Sequence, residues 1–327
     1  MIDLTYQILI AVALDLLAGD PRWLPHPVKL IGRLAIFLEA PARKLVPPSR
    51  LAGTVTALLV IAISGIVAWS VVRSAAWLHP LAGDAVSILL IHTCIAARDL
   101  AGHGMAVFRP LNAGDLDEAR RRVAMIVGRD TQRLDESGVA RAAVESIAEN
   151  LVDGVTAPLF FAAIFGPVGA IVYKAINTLD SSFGYRNKQY ARFGWASARI
   201  DDVANYLPAR ITAPLVALAA LVLHKRPVGA LRILKRDRRR HASPNAGYPE
   251  AAFAGALGVQ LGGPSFYFGR EQPVEKPLIG DHVCRLEPSD IRKANLLMYT
   301  TTALFVVLCV CGRVGAEQLW LRGGWTP

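Results

Sequence analysis

The run from Leu51 to Val72, twenty-two residues without a charge, constrains this chain more than any other stretch. As a helix rising about 1.5 Å per residue it reaches across a hydrocarbon core about 30 Å thick. It is therefore predicted to span a membrane. Five more apolar segments can be drawn, at 4–18, 85–97, 155–173, 206–223 and 296–311, and of all six only 51–72 and 155–173 reach full length without a charge. The thirteen residues of 85–97 equally suit a buried or re-entrant piece. Pro208, Arg210 and Pro214 make the first turn of 206–223 an irregular, protein-lined stretch.

Four basic connections, 19–50, 98–154, 174–205 and 224–295, join these segments. Strict alternation of crossings cannot put all four on one side, as the positive-inside tendency asks. Gly166-Pro167 interrupts 155–173, so a broken helix or hairpin that returns to the side it left resolves the conflict. The expected fold is all-α: a polytopic integral membrane helical bundle with broken or re-entrant helices and amphipathic cytoplasmic helices, forming a single membrane-embedded domain over 1–327. At this length the chain could make two soluble domains, but 53% hydrophobic residues and a mean hydropathy of +0.35 point away from that.

The first apolar run has no cationic stretch ahead of it and carries Asp3, Gln7 and Asp15, unlike a cleaved signal peptide, so it is expected to be retained. The net charge of +10 is explained by cytoplasmic loops of a multi-pass protein of the cell inner membrane, and nucleic acid is not an expected partner. Within that charge, Lys225 to His241 reads as a surface near anionic lipid, with a substrate clamp as the alternative. Four cysteines without a CxxC pair suggest neither disulfides nor zinc.

Gly128 to Asp153 is the most informative polar stretch. Ala140, Val144, Ile147, Ala148 and Leu151 recur at helical spacing, while Arg141, Glu145, Glu149 and Asp153 stand four apart on another face. Stacked carboxylates repel unless solvated, paired or bound to a cation, and Mg²⁺ takes carboxylate oxygens while keeping water and substrate phosphates. A Mg²⁺ phosphate site and a solvated face with an ordinary Arg141–Glu145 pair are both open. Further on, Lys174, Asn177 and Asp180 or Ser181 share a face where an apolar run ends, and Asp201, Asp202 and Asn205 lead into the next. Asp15 lies inside an apolar run, a functional or buried paired acid. Prolines at 21, 25 and 27 hold Asp20, Arg22 and His26 in a loop, where a histidine is more often a structural hydrogen bonder than a base. Ser243 to Gly269, with Glu250 as its only acid, suits a re-entrant or closely packed piece. Neither a GxxxxGK[ST] loop nor a strand-linked GxGxxG is present.

Four segments, DLLAGDPRWLPHPV, RDTQRLDESGVARAAVESIAENLVDGVTAPLF, YKAINTLDSSFGYRNKQYARFGWASARIDDVANYLPAR and SPNAGYPEAAFAGALGVQLGGP, resemble the signature segments of the adenosylcobinamide-phosphate synthase (CobD/CbiB) family, in the same order. They span about residues 12 to 270. The resemblance implies an amide-forming ligase of cobalamin biosynthesis, acting on adenosylcobyric acid and (R)-1-aminopropan-2-ol or its O-phosphate, beside other late corrin-pathway membrane enzymes. It brings no residue roles with it. Residue chemistry suggests ATP and Mg²⁺, with metal carboxylates drawn from Glu145, Glu149, Asp153, Asp180, Asp201 and Asp202. Arg129, Lys174 and Arg186 would hold phosphate; Asn177, Asn205, Asn245, Tyr248 and Glu250 would orient substrate. Glu145, Glu149, Asp202 and Glu250 are the candidate catalytic acids, in a site facing the cytoplasm. Two other classes stay open: a Mg²⁺-dependent membrane transferase of the prenyltransferase type, from Asp201-Asp202-x-x-Asn205 and Asn177-x-x-Asp180, and a transporter or sensor using Asp15 and His92.

Overall fold

The computed structural model describes residues 2–20, 26–45, 49–185, 187–267 and 272–322. Helices dominate: α1 (Leu4–Ala18), α2 (Pro27–Leu45), α3 (Arg50–Leu78), α4 (Pro80–His92), α5 (Ala97–Asn112), α6 (Leu116–Val123), α7 (Glu136–Leu151), a π turn (Val152–Thr156), α8 (Ala157–Phe183), α9 (Trp195–Ala204), α10 (Tyr206–Val222), α11 (Pro227–Asp237), α12 (Gly247–Leu257) and α13 (Ser289–Arg322). The strands β1 (Leu261–Ser265) and β2 (Val274–Ile279) form one antiparallel hairpin. Among the described residues four stretches are long and apolar enough to cross a membrane: Arg50–Leu78, Pro80–Asn112, Glu136–Phe183 and Ser289–Leu319, with the bent pair α9 and α10 making a fifth if it counts as one span. The chain is an all-α, multi-pass membrane protein.

The chain divides into two compact units, the first made of 1–96, 157–205 and 306–327, the second of 97–156 and 206–305. In the first, α3 packs on α2, α4, α8 and α9, and α8 also meets α1 and α4. Only 28% of the apolar window of α3 is buried, so most of that helix is left to lipid. The expected break in 155–173 is present: Gly166 has φ 65°, open to glycine without a Cβ clash, and Pro167 has no N–H to continue the ladder. Gly53 lies under the Phe193 carbonyl so closely that any side chain there would collide with backbone.

In the second unit the basic connection 98–154 folds into α5, α6 and α7, the last of them the helix expected from Val139 onward, and α7 is buried on nearly every side. Ala140, Val144, Ile147, Ala148 and Leu151 are all 0% exposed, as their spacing implies. The glycine-rich stretch contains α12, a helix buried at every position but Tyr248, whose Gly255 meets the backbone of α11 at Gly229. Small residues allow that approach, as they do between membrane helices. The cationic segment of α11 is partly neutralised from within. Arg232 and Arg236 pair with Asp281, while Arg236, Arg240 and the Gly280 N–H surround the buried Asp237. Lys225, Arg226, Lys235 and Arg239 remain exposed.

Candidate functional site

Two polar clusters stand out, one in each unit. In the first unit, α8 supplies Lys174, Asn177 and Asp180, three residues apart and hence on one side of the helix, and Tyr173, four before Asn177. Opposite them α9 carries Asp201 and ends at Asn205. The Tyr173 hydroxyl donates to Asn205 Oδ1 at 2.9 Å, and Asn205 Nδ2 donates to Asp201 Oδ2 at 3.0 Å. This chain of bonds fixes the Asp201 carboxylate, with Asn177 and the negative charge of Asp180 facing it. Its other oxygen, Oδ1, is buried with no hydrogen-bond donor within bonding distance among the described residues.

Two neighbouring carboxylates, one with a bare oxygen, are unfavourable unless a proton or cation sits with them. No group of three or more His, Cys, Asp or Glu side chains among the described residues is arranged to hold a metal alone. A pair nonetheless fits Mg²⁺, which commonly takes one or two carboxylates and leaves the remaining positions to water and substrate phosphates. Asp202, although adjacent in sequence, pairs with the exposed Arg199 at 3.1 Å. Lys174 is half-buried, and its charge reaches the buried Cys94.

In the second unit, Glu145 of α7 is buried and has both oxygens engaged. Oε2 accepts from Arg129, and Oε1 accepts from the Gly262 N–H at 2.7 Å. Arg129 also donates to Ser265 at 3.0 Å, so the ion pair ties α7 to β1. The Arg141–Glu145 pair, one of the two readings left open, does not form among the described residues. Arg141 reaches the Pro264 carbonyl instead, because β1 covers the face of α7 that the sequence pattern leaves to solvent. Glu149 is exposed and Asp153 half-buried in the π turn, so the carboxylate ladder does not continue as one solvated row. Arg129 lines an open cavity of about 480 Å³ with Arg133, Thr131 and Gln132.

Near Glu145, the buried Glu250 of α12 lies 3.7 Å from His241 Nε2 and accepts no hydrogen bond among the described residues. Burial, reinforced by the charges of Glu145 and Glu149, raises the Glu250 carboxyl well above its ordinary pKa. Burial also lowers His241, against the pull of Glu149 and Glu145. A carboxyl raised by folding binds its proton more tightly in the native state, so its stabilising contribution is full below the unfolded pKa of about 4.3 and is lost as pH rises through the folded value. Glu250→Gln is accordingly expected to flatten the loss of stability as pH rises above about 4.3. Thermal unfolding of both proteins in detergent across pH checks this, and parallel pH profiles would remove Glu250 as the source. Asn245 and Tyr248 serve a third feature, Arg210. Its guanidinium donates to Asn245 Oδ1 at 3.0 Å and lies between the Tyr206 and Tyr248 rings, 3.4 and 4.4 Å from their centroids.

At the amino end Asp15 is 0% exposed, and His92 is buried with Nδ1 lacking a hydrogen bond among the described residues. His26 uses both ring nitrogens: Nε2 meets Asp20 at 2.7 Å, and Nδ1 accepts from the Val28 N–H at 3.2 Å, at the start of α2. That is a structural role. Arg22 and Arg186 lie outside the described residues. Sequence reasoning did not single out Tyr173, Arg210 or His241 as site residues. Tyr173 stands four residues before Asn177, a signal that was available, whereas nothing local joins His241 to Glu250.

Residues 8–298 match the family described as CobD/Cbib protein. Cobalamin biosynthesis protein CobD of Geobacter metallireducens is 54% identical over 301 residues, 92% of this chain and 94% of the relative. CobD of Pelobacter propionicus is 46% identical over 314 residues, 96% and 95% of the two chains, and cobalamin biosynthesis protein CbiB of Salmonella typhi is 44% identical over 309, 94% and 96%. No solved structure matches the chain. With a family match over most of its length and relatives this close along their whole length, this membrane protein belongs to the CobD/CbiB family.

Proposed function

We propose that this chain joins adenosylcobyric acid to (R)-1-aminopropan-2-ol, or to its O-phosphate, through an amide bond, using ATP and Mg²⁺. A role in cobalamin biosynthesis follows from its family; the reaction is argued from chemistry. A carboxylate is a poor electrophile, and an amine at neutral pH is an ammonium without a free lone pair. ATP meets the first difficulty: a carboxylate oxygen bonds to the γ-phosphorus and ADP leaves. The amine nitrogen, having given its proton to a base, then attacks the acyl carbon, and phosphate departs.

The observation that carries this reading is the Asp180–Asp201 pair with the unpartnered Asp201 Oδ1. Mg²⁺, when bound, neutralises phosphate charge. Asp201 is held for that task by Asn205 and Tyr173, and Lys174 on the same helix side adds a cation suited to a phosphate oxygen. The site would face the cytoplasm from the inner membrane, the side on which ATP is found. In a strain lacking the gene, supplied cobinamide is expected to restore cobalamin synthesis and cobyric acid is not. Rescue by cobyric acid would overturn the reading.

One observation favours a second reading. Asn177-x-x-Asp180 and Asp201-Asp202-x-x-Asn205 do meet within the first unit, as a Mg²⁺-dependent prenyl transfer to a lipid-borne acceptor would require. Under that reading the deletion strain still converts cobyric acid, so the same experiment separates the two.

A further inference from the structure

Between α2 and α3, within the first unit, lies an open apolar cavity of about 360 Å³. Leu30 and Leu34 of α2, Val67 and Val71 of α3, Leu90 and Ile171 contribute to its lining. Leu30, Val67 and Val71 are 56%, 54% and 46% exposed, so the slot opens outward on the helix least covered by protein. In water this would be an unfavourable apolar surface; in a bilayer it meets acyl chains.

Two features make it more than an ordinary lipid-facing groove. Ser64, in its wall, is only 7% exposed, and its hydroxyl has no hydrogen-bond partner among the described residues. A buried hydroxyl without a partner is costly unless a ligand oxygen meets it. Three exposed cations also border the slot in sequence: Lys29 adjoins Leu30, Arg33 adjoins Leu34, and Arg73 stands two residues past Val71. None of the three forms an ion pair with a carboxylate among the described residues. Arg73 is also the charge that ends the uncharged run from Leu51, which places its end of the slot toward a membrane surface.

We propose that this slot is a binding site for an anionic phospholipid. One acyl chain lies along α2 and α3, an ester carbonyl accepts the Ser64 hydroxyl, and Lys29, Arg33 and Arg73 hold the phosphate and its headgroup. An anionic lipid is favoured over a zwitterionic one because, among the described residues, three cations without an ion pair and no unpaired acid border the opening in sequence.

The full chain would be placed in nanodiscs of phosphatidylcholine with and without phosphatidylglycerol, then released for native mass spectrometry to count retained lipid. One retained phosphatidylglycerol, preferred over phosphatidylcholine, is expected. Lys29→Gln, Arg33→Gln and Arg73→Gln should each weaken retention about fivefold. Val67→Phe should block the slot with every charge in place, and Ser64→Ala should weaken retention of both lipids. Circular dichroism and gel filtration identify any variant that fails to fold, and Val67 is exposed enough to tolerate the larger ring. Equal retention of the two lipids, or phosphatidylglycerol retention untouched by both the triple glutamine variant and Val67→Phe, would overturn the proposal. Since none of these residues belongs to the Asp201 cluster, such a failure leaves the proposed reaction standing.

Discussion

Glu145→Ala is expected to destabilise the second unit by about 3–5 kcal/mol, the usual result of breaking a buried ion pair by removing one partner. The side chains of Arg129 and Glu145 are 5% and 8% exposed. Without Glu145 the guanidinium keeps only the Ser265 hydroxyl, and the Gly262 N–H loses its acceptor as well. Two buried donors are thus orphaned together, one of them charged. Arg141→Ala, by contrast, removes only a long bond to the Pro264 carbonyl and should change stability by less than about 0.5 kcal/mol. Denaturation in detergent distinguishes them. A change below about 1 kcal/mol for Glu145→Ala would mean that the ion pair does not anchor β1 to α7.

Asp201→Asn is expected to lower turnover by about two to three orders of magnitude while leaving stability nearly unchanged. An amide of the same shape keeps an oxygen for the Asn205 donor but brings no negative charge to a cation. Asp202→Asn is the control. Its carboxylate is engaged by Arg199 at the surface, where such pairs contribute little, so activity should stay within about threefold of the parent. Amide formation by protein reconstituted in lipid, titrated with Mg²⁺, reads both variants. Equal losses at the two positions would show that general disturbance of α9, not a role for Asp201 at the metal, explains the effect. Stability loss at Glu145 and activity loss at Asp201 together would separate scaffold from chemistry among carboxylates that look alike in sequence.

Local physics explains which features were legible in advance. The uncharged run of α3, the break at Gly166-Pro167 and the buried stripe of α7 each depend on residues within a few positions of one another. Apolar length, a missing N–H and a period of 3.6 act along one segment, so they can be read from it. The face shared by Lys174, Asn177 and Asp180 is of the same kind. Partner choice is not. Arg141 and Arg129 are equally plausible partners for Glu145 on paper, and only the hairpin arriving from residues 261–279 decides between them, by covering one face of α7 and carrying Gly262 to the carboxylate. Asp201 and Asp202 are likewise neighbours in sequence, yet the turn of α9 directs one toward α8 and the other toward Arg199. The sequence by itself determined the membrane setting, the long apolar helices and the family, because hydropathy and periodicity are properties of single segments. Tertiary structure alone decided which acids are paired and which oxygen is left bare, because an ion pair or an orphaned atom depends on a second segment far away in the chain.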